Sequence, residues 1–410
     1  MVSRIENTKK ILYNNFMDSQ DFIYLDYAAA TPVDGKVFEA MKPYFSETFF
    51  NPSAPYLPAK HVRRIYEDAK DELAHTIGAK GNDLVITAGA TESINLAFTV
   101  LKNHQNAKCL ISEIEHASVR EAAKNLAKNV EEINVDKTGY IDLVDLKNKI
   151  DDNVVLISVA AANNELGTIQ PLSEISEIVK KVRLDRLSRG IDLPLYLHSD
   201  ASQAMSLMDI YVSRLGVDLL SINSAKVYGP KGIGALYVAH GIKLSPITFG
   251  GGQEMGLRAG TENVPLLVGF ATAAKNAKEH VNGNRKKFEK LNQIFKRTLI
   301  EKLDGVLEPK FLGNKKHQLA NFVSVCFDGL DAERLIFKLE DEKIYVSTGA
   351  ACAASKGQKS HVLTAIGLTD SEIAGSLRIS MGKTNDEESV KFAATKLAEI
   401  VKAELERING

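Results

Sequence analysis

The sequence predicts an α/β fold on a mainly parallel sheet, followed by a smaller α+β unit at the C-terminal end. Three observations predict it. Short β-rich runs alternate with helical patterns through the first two thirds of the chain, as in strands joined by crossover helices. Several of those runs are apolar without alternation, as expected of strands covered on both faces. From about residue 264 the parallel alternation stops, and helices and strands follow one another in another order.

The elements follow from this pattern in order. "DLVITAG" reads as a strand and "TESINLAFTVLKN" as its helix; "KCLISEIEH" precedes "ASVREAAKNLAKN", and "NVVLISVAAANNELG" precedes "PLSEISEIVKKVRL". "LPLYLHSDASQA" and "VDLLSIN" complete the set of buried strands, and the insertion-like "RLDRLSRGIDLP" before the first of them reads as a solvated loop. After 264 comes a long helix, then "NFVSVCFDGL", the helix "DAERLIFKLEDE", the strands "IYVSTGA" and "SLRISMGK", and a closing helix. A chain of 410 residues exceeds the usual single core, so two domains are expected.

Composition narrows the function classes. Lys+Arg 51 against Asp+Glu 52 leaves a net charge of -1, which argues against nucleic acid or an anionic membrane as partner. No run approaches the length of a membrane span, and the first twenty residues lack the apolar core of a signal peptide. Cys109, Cys326 and Cys352 are too scattered for a disulfide framework or a zinc site, so a reducing, cytoplasmic setting and no metal are expected.

Ligands of parallel sheets bind beyond the carboxyl ends of the strands. The residues that end these runs are Thr91, His116, Asn164, Asp200 and Lys226. Gly89 permits a sharp turn, and the helix from Ala90 and Thr91 offers unpaired N–H groups to an anion. A carboxylate at Asp200 needs a positive or hydrogen-bonded partner, which a protonated heterocyclic nitrogen would be. His116 offers a ring for stacking. Asn164 and Gln203 are amides able to hold a phenolic oxygen. A desolvated Lys226 becomes a nucleophile toward carbonyls. Taken alone, each has an ordinary explanation as a helix cap, a structural ion pair, a core histidine or a snorkelling lysine. Together they match the needs of pyridoxal 5'-phosphate (PLP): phosphate cup, pyridinium partner, stacking ring and amine. Cys109 and Cys326 sit inside apolar strands and read as core. Cys352, in the small-residue stretch "STGAACAASKGQKS", reads as an accessible loop residue.

On "YLDYAAATPV", "TAGATESINLA", "EIEHASV", "NNELGTIQP", "HSDASQA", "SAKVYGPKGIGALYV", "GGGQEMGLRAGT", "STGAACAAS" and "SLRISMGK", the chain resembles the cysteine desulfurases of the iron–sulfur assembly and nitrogen-fixation group. The resemblance implies the PLP-dependent aminotransferase-type architecture (fold type I), with a large domain at 20–263 and a small domain from 1–19 and 264–410. It implies conversion of L-cysteine to L-alanine, with a persulfide left on Cys352 for a sulfur-acceptor scaffold protein. Lys226 matches the cofactor-bearing lysine, Asp200 its pyridinium partner and His116 the stacking, acid–base histidine. Asn164 and Gln203 match the contacts to the phenolic oxygen, and Asn164 also a contact to substrate. Ala90, Thr91 and Asn223 fall in the phosphate cup. Thr261 matches a ligand to the neighbouring subunit's phosphate, which implies a homodimer. Arg378 matches the clamp on the substrate carboxylate.

Three positions depart from the pattern. Ala225 stands where relatives carry His, Asn223 where they carry Ser, and "NPSAPYLP" lacks its His. Two other readings follow from these departures and from the pocket's unknown chalcogen preference. One is a selenocysteine lyase-like enzyme; the other is a non-catalytic partner in iron–sulfur assembly.

Overall fold

In the computed structural model, residues 22–104, 106–348 and 359–409 are described. The strands among them are β1 (Ile23–Tyr24), β2 (Leu84–Thr87), β3 (Lys108–Ser112), β4 (Asn129–Ile133), β5 (Val154–Ser158), β6 (Tyr196–Asp200), β7 (Leu219–Asn223) and β8 (Gly234–Val238), then β9 (Lys310–Leu312), β10 (Phe322–Cys326), β11 (Ile344–Tyr345), β12 (Ser347–Thr348) and β13 (Ser376–Ser380).

The central sheet has the order β2-β8-β7-β6-β5-β3-β4. Strands β4, β3, β5, β6 and β7 run parallel, and β8 lies antiparallel to both β7 and β2. Every residue of β2 and β5 is buried, so both faces are covered, as their unbroken apolar sequences predict. The crossover helices Ala117–Leu126 and Leu172–Ser188 supply part of that cover through Val119, Ala122, Ile175 and Val179.

A buried polar chain crosses the sheet beside the site. Ser158 on β5 pairs with His198 Nδ1 at 2.8 Å, and His198 Nε2 pairs with Ser221 Oγ on β7 at 3.0 Å. Burial pushes the imidazole down to about 3, so it stays neutral and clamps β6 between its neighbours. Asp200 lies two residues farther along β6, on the same face as His198.

The C-terminal strands form a second sheet, β12-β13-β10-β9, all antiparallel. Strand β1 pairs in parallel with β11, so the beginning of the described chain lies with these elements. The helix Val264–Leu303 joins the two cores. Its first half buries Leu267, Phe270 and Ala274 against the central sheet, and its second half buries Phe295 and Leu299 with β10 and β13.

One expected loop is a helix instead. Residues 183–188 continue the helix Leu172–Ser188 rather than opening into solvent. The guanidinium of Arg186 is the reason. It is buried and donates to the carbonyls of Leu193, Pro194, Asp151 and Val154, which draws the following turn back onto the sheet. The exposed Leu184 and Leu187 flank it and disguise it as a polar, loop-like stretch.

Candidate active site

The site lies at the carboxyl ends of β3, β5, β6 and β7, where successive turns deliver its side chains. Strand β7 ends at Asn223, and a single tight turn, Ser224–Lys226, carries the lysine. Lys226 Nζ donates to the carbonyls of Ala28 and Ala29 at 2.7 and 2.5 Å. Gln203 Nε2 donates to the same Ala28 carbonyl at 3.0 Å, which brings the lysine and the amide to one point. The backbone before Lys226 is pinned, because the Ala225 carbonyl accepts from Thr31 N at 3.1 Å and Thr31 Oγ1 at 3.0 Å.

Asp200 ends β6, and its Oδ1 accepts from Ser202 N at 2.9 Å and Ser202 Oγ at 2.6 Å. His116 caps the helix Ala117–Leu126. Its Nδ1 accepts from Ser118 N at 3.1 Å and lies 2.8 Å from Ser118 Oγ. His116 is exposed, yet the surrounding protein desolvates the imidazole enough to lower its pKa. Asp200 opposes that shift and Lys226 adds to it. The three residues therefore act on one another electrostatically, as the strand-end rule predicts.

Beside them lies a cavity of about 600 Å³ lined by Gly89, Ala90, Thr91, Glu92, Asn223 and Ala225. Gly89 precedes the helix Ala90–Ala97 with φ +151°, a conformation open to glycine, and a Cβ added there would meet nothing within 4 Å. Asn223 Oδ1 accepts from Ala225 N at 3.2 Å, which leaves its amide nitrogen for an anion. Glu92 would repel one, but its oxygens accept from Ala88 N and Arg258 Nε at 2.6 and 3.1 Å. Thr261 does not join this cup in the single chain. It lines a separate cavity with Tyr66, Glu254, Arg258 and Asn263.

Arg378 on β13 is buried, with Nη1 on the carbonyl of Asn164 at 2.9 Å and Nη2 on Asp26 Oδ1 at 2.7 Å. Among the described residues its buried Nε has no hydrogen-bond partner. Asn164 thus meets Arg378 through its backbone. Cys109 and Cys326 are buried, and burial raises both thiols, Cys326 to about 11, so neither is a nucleophile at neutral pH. Cys352 lies outside the described residues.

Two buried carboxylates were not singled out in the sequence. Glu115 Oε1 accepts from Ala160 N at 2.7 Å while the buried Oε2 has no partner among the described residues, and burial pushes the acid up to about 8. Glu165 Oε2 accepts from Ser360 Oγ at 2.6 Å, and burial raises it to about 7 against the opposing pull of Ser360 and Arg378. Their positions within "EIEHAS" and "NNELG", beside His116 and Asn164, were the available signal.

Comparison with known proteins agrees with this geometry. Residues 23–392 match the aminotransferase class-V family. The cysteine desulfurase IscS 1 of Archaeoglobus fulgidus is 39% identical over 393 residues, covering 94% of this chain and 98% of its own. The cysteine desulfurase IscS of Methanosarcina thermophila is 39% identical over 385 residues, covering 92% of each chain. Among solved structures, a NifS-like protein superposes with a TM-score of 0.84 at 32% identity, covering 92% of this chain and 99% of its own. SspA in complex with cysteine gives a TM-score of 0.73 at 33% identity, covering 88% and 98%.

Proposed function

The chain belongs to the aminotransferase class-V family and is a PLP-dependent cysteine desulfurase, and from that premise we propose the role of each residue. The residues present fit the cofactor. An open cradle at Gly89 suits a phosphate, and next to it an amine and a carboxylate both act electrostatically on an imidazole. That convergence of Lys226, Asp200 and His116 is the observation that carries the reading.

Lys226 would hold the cofactor through its amine, and Asp200 would keep a proton on its pyridinium nitrogen. His116 covers the ring, and Asn164 and Gln203 hold the phenolic oxygen. Ala90, Thr91 and Asn223 bind the phosphate. When bound, PLP supplies an electron-accepting ring for the substrate's α-carbon. Arg378 orients L-cysteine by its carboxylate, using a planar fork whose buried Nε has no partner among the described residues. With the cofactor bound, Lys226 would be the base that moves the substrate's α-proton, and His116 would serve proton transfer near it. The thiolate of Cys352 attacks the substrate sulfur. A sulfur–sulfur bond forms, the carbon–sulfur bond breaks, and its electron pair stays with carbon, which takes up a proton and leaves as L-alanine.

The division into a large domain (20–263) and a small one (264–410) belongs to the same proposal; residues 1–19, grouped with the small domain from the sequence, lie outside the described residues. So does a homodimer in which Thr261 serves the neighbouring subunit's phosphate. Exposed Phe49, Leu57, Phe249 and Met255 support the dimer, since their rings and chains otherwise meet water. We place the enzyme in the cytoplasm, passing sulfur from Cys352 to a scaffold protein for iron–sulfur or other sulfur-cofactor assembly. Among the described residues no helix is long and apolar enough to cross a membrane.

The test is a cysteine-dependent assay for alanine and sulfide with added PLP and a thiol reductant. Stoichiometric alanine and sulfide support the reading. Failure to form either with cofactor bound overturns it.

A further inference from the structure

The described residues on both sides of the segment that carries Cys352 lead back to Arg378. On the N-terminal side, β12 pairs with β13, and Ser347 stands opposite Arg378. On the C-terminal side, Ser360 Oγ donates to Glu165 Oε2 at 2.6 Å, with both residues buried. Glu165 follows Asn164, whose carbonyl accepts from Arg378 Nη1 at 2.9 Å.

This second connection is stiff. Asn163 Oδ1 accepts from the N–H groups of Glu165 and Leu166 at 2.9 and 2.8 Å, and its Nδ2 donates to the Ile114 carbonyl at 2.9 Å. A neighbouring contact links the same root to the other half of the site: His361 Nε2 lies 2.9 Å from the carbonyl of Glu115, the residue before His116. Capping alone accounts for only part of Ser360. As a cap, its oxygen accepts from Leu363 N at 3.1 Å. Its hydroxyl proton goes instead to a carboxylate on a different element, where an acid is costly to bury.

We propose that Glu165 is a positioning residue for sulfur transfer, holding the C-terminal root of the Cys352 segment through Ser360 at a fixed offset from Arg378. The substrate carboxylate and the root of that segment then share one frame of reference. The proposal rests on Cys352 being the nucleophile. A displacement of about 1 Å between reacting groups costs up to roughly a hundredfold in rate, so losing this tether acts on transfer more than on binding.

The holoenzyme and its Glu165→Ala, Glu165→Gln, Ser360→Ala and double-alanine variants test it. Single-turnover persulfide formation on Cys352, read by mass, gives the transfer rate; the change in cofactor absorbance on cysteine titration gives binding. Glu165→Ala is expected to slow transfer about tenfold with cysteine affinity within roughly threefold. Glu165→Gln, which keeps the acceptor, recovers most of the rate. Ser360→Ala matches Glu165→Ala, and the double variant is no slower than either. If Glu165→Ala is insoluble, Ser360→Ala must show the same split by itself. Transfer at the wild-type rate, equal losses of transfer and binding, or additive losses in the double variant overturn the tether. A wild-type enzyme that forms no persulfide on Cys352 overturns it differently, by removing the nucleophile it rests on.

Discussion

Replacing Glu115 with Gln should stabilise the protein at pH 7.5 and do so much less at pH 5.5. Glu115 is 1% exposed, with Oε2 buried and unpartnered among the described residues, and desolvation is the main cause of its rise from 4.5 to about 8, with Asp200 adding to it. Only the hydrogen bond from Ala160 N and the pull of Arg120 favour the ionised form. The folded protein therefore keeps a proton that the unfolded chain has lost. Because the folded value is raised, this group's contribution is fully present below the unfolded pKa and is lost as pH rises toward the folded one. Within that window stability falls by about 1.4 kcal/mol per pH unit, or roughly 3 kcal/mol between pH 5.5 and 7.5.

Glutamine keeps the acceptor for Ala160 N, resembles the protonated acid in shape and does not titrate. Its advantage over Glu115 should therefore grow by that same amount across the window. An unfolding entropy of about 2.1 cal/mol/K per residue over 410 residues converts roughly 3 kcal/mol into about 3 °C. The assay is calorimetry of both holoenzymes at the two pH values. The difference between their shifts cancels every other titrating group. Equal shifts at pH 5.5 and 7.5 would mean that Glu115 is ionised in the folded state, with water or a cation beside Oε2, and would refute the desolvation argument.

Cys352→Ala should keep the cofactor and its spectral response to cysteine while losing alanine formation; alanine at the wild-type rate would end the persulfide mechanism. Borohydride reduction followed by peptide mapping should place the pyridoxyl group on Lys226, and recovery on Lys231 would move the site. Ala225→His should tighten PLP binding by roughly 10- to 100-fold in an equilibrium titration, from one hydrogen bond to a charged phosphate worth about 1.5–3 kcal/mol. Unchanged affinity would show that Asn223 already fills that role.

What the sequence made legible follows a physical divide. The placement of Lys226, Asp200 and His116 after strand ends could be read because apolar runs mark those ends, which in a parallel sheet are where ligands bind. Cys109 and Cys326 could be read as core for the same reason. Arg186 could not, because its four carbonyl partners come from other turns and leave no period in the sequence. Glu165 is harder still: its hydroxyl partner is 195 residues away, and a glutamate in "NNELG" reads as a solvated turn until both are buried together. Burial of polar groups is decided by tertiary pairing, whereas burial of apolar ones is written in local pattern. The same divide explains the phosphate cup. Ala225 and Asn223 look like losses when counted as side-chain ligands. In the fold, Ala225 N holds Asn223 Oδ1, and the pair faces the cavity as one unit with the helix start at Ala90. The Asn223 amide and the helix start at Ala90 are the donors that would recover part of what Ala225 lacks, and only the assembled turn brings them to one cavity.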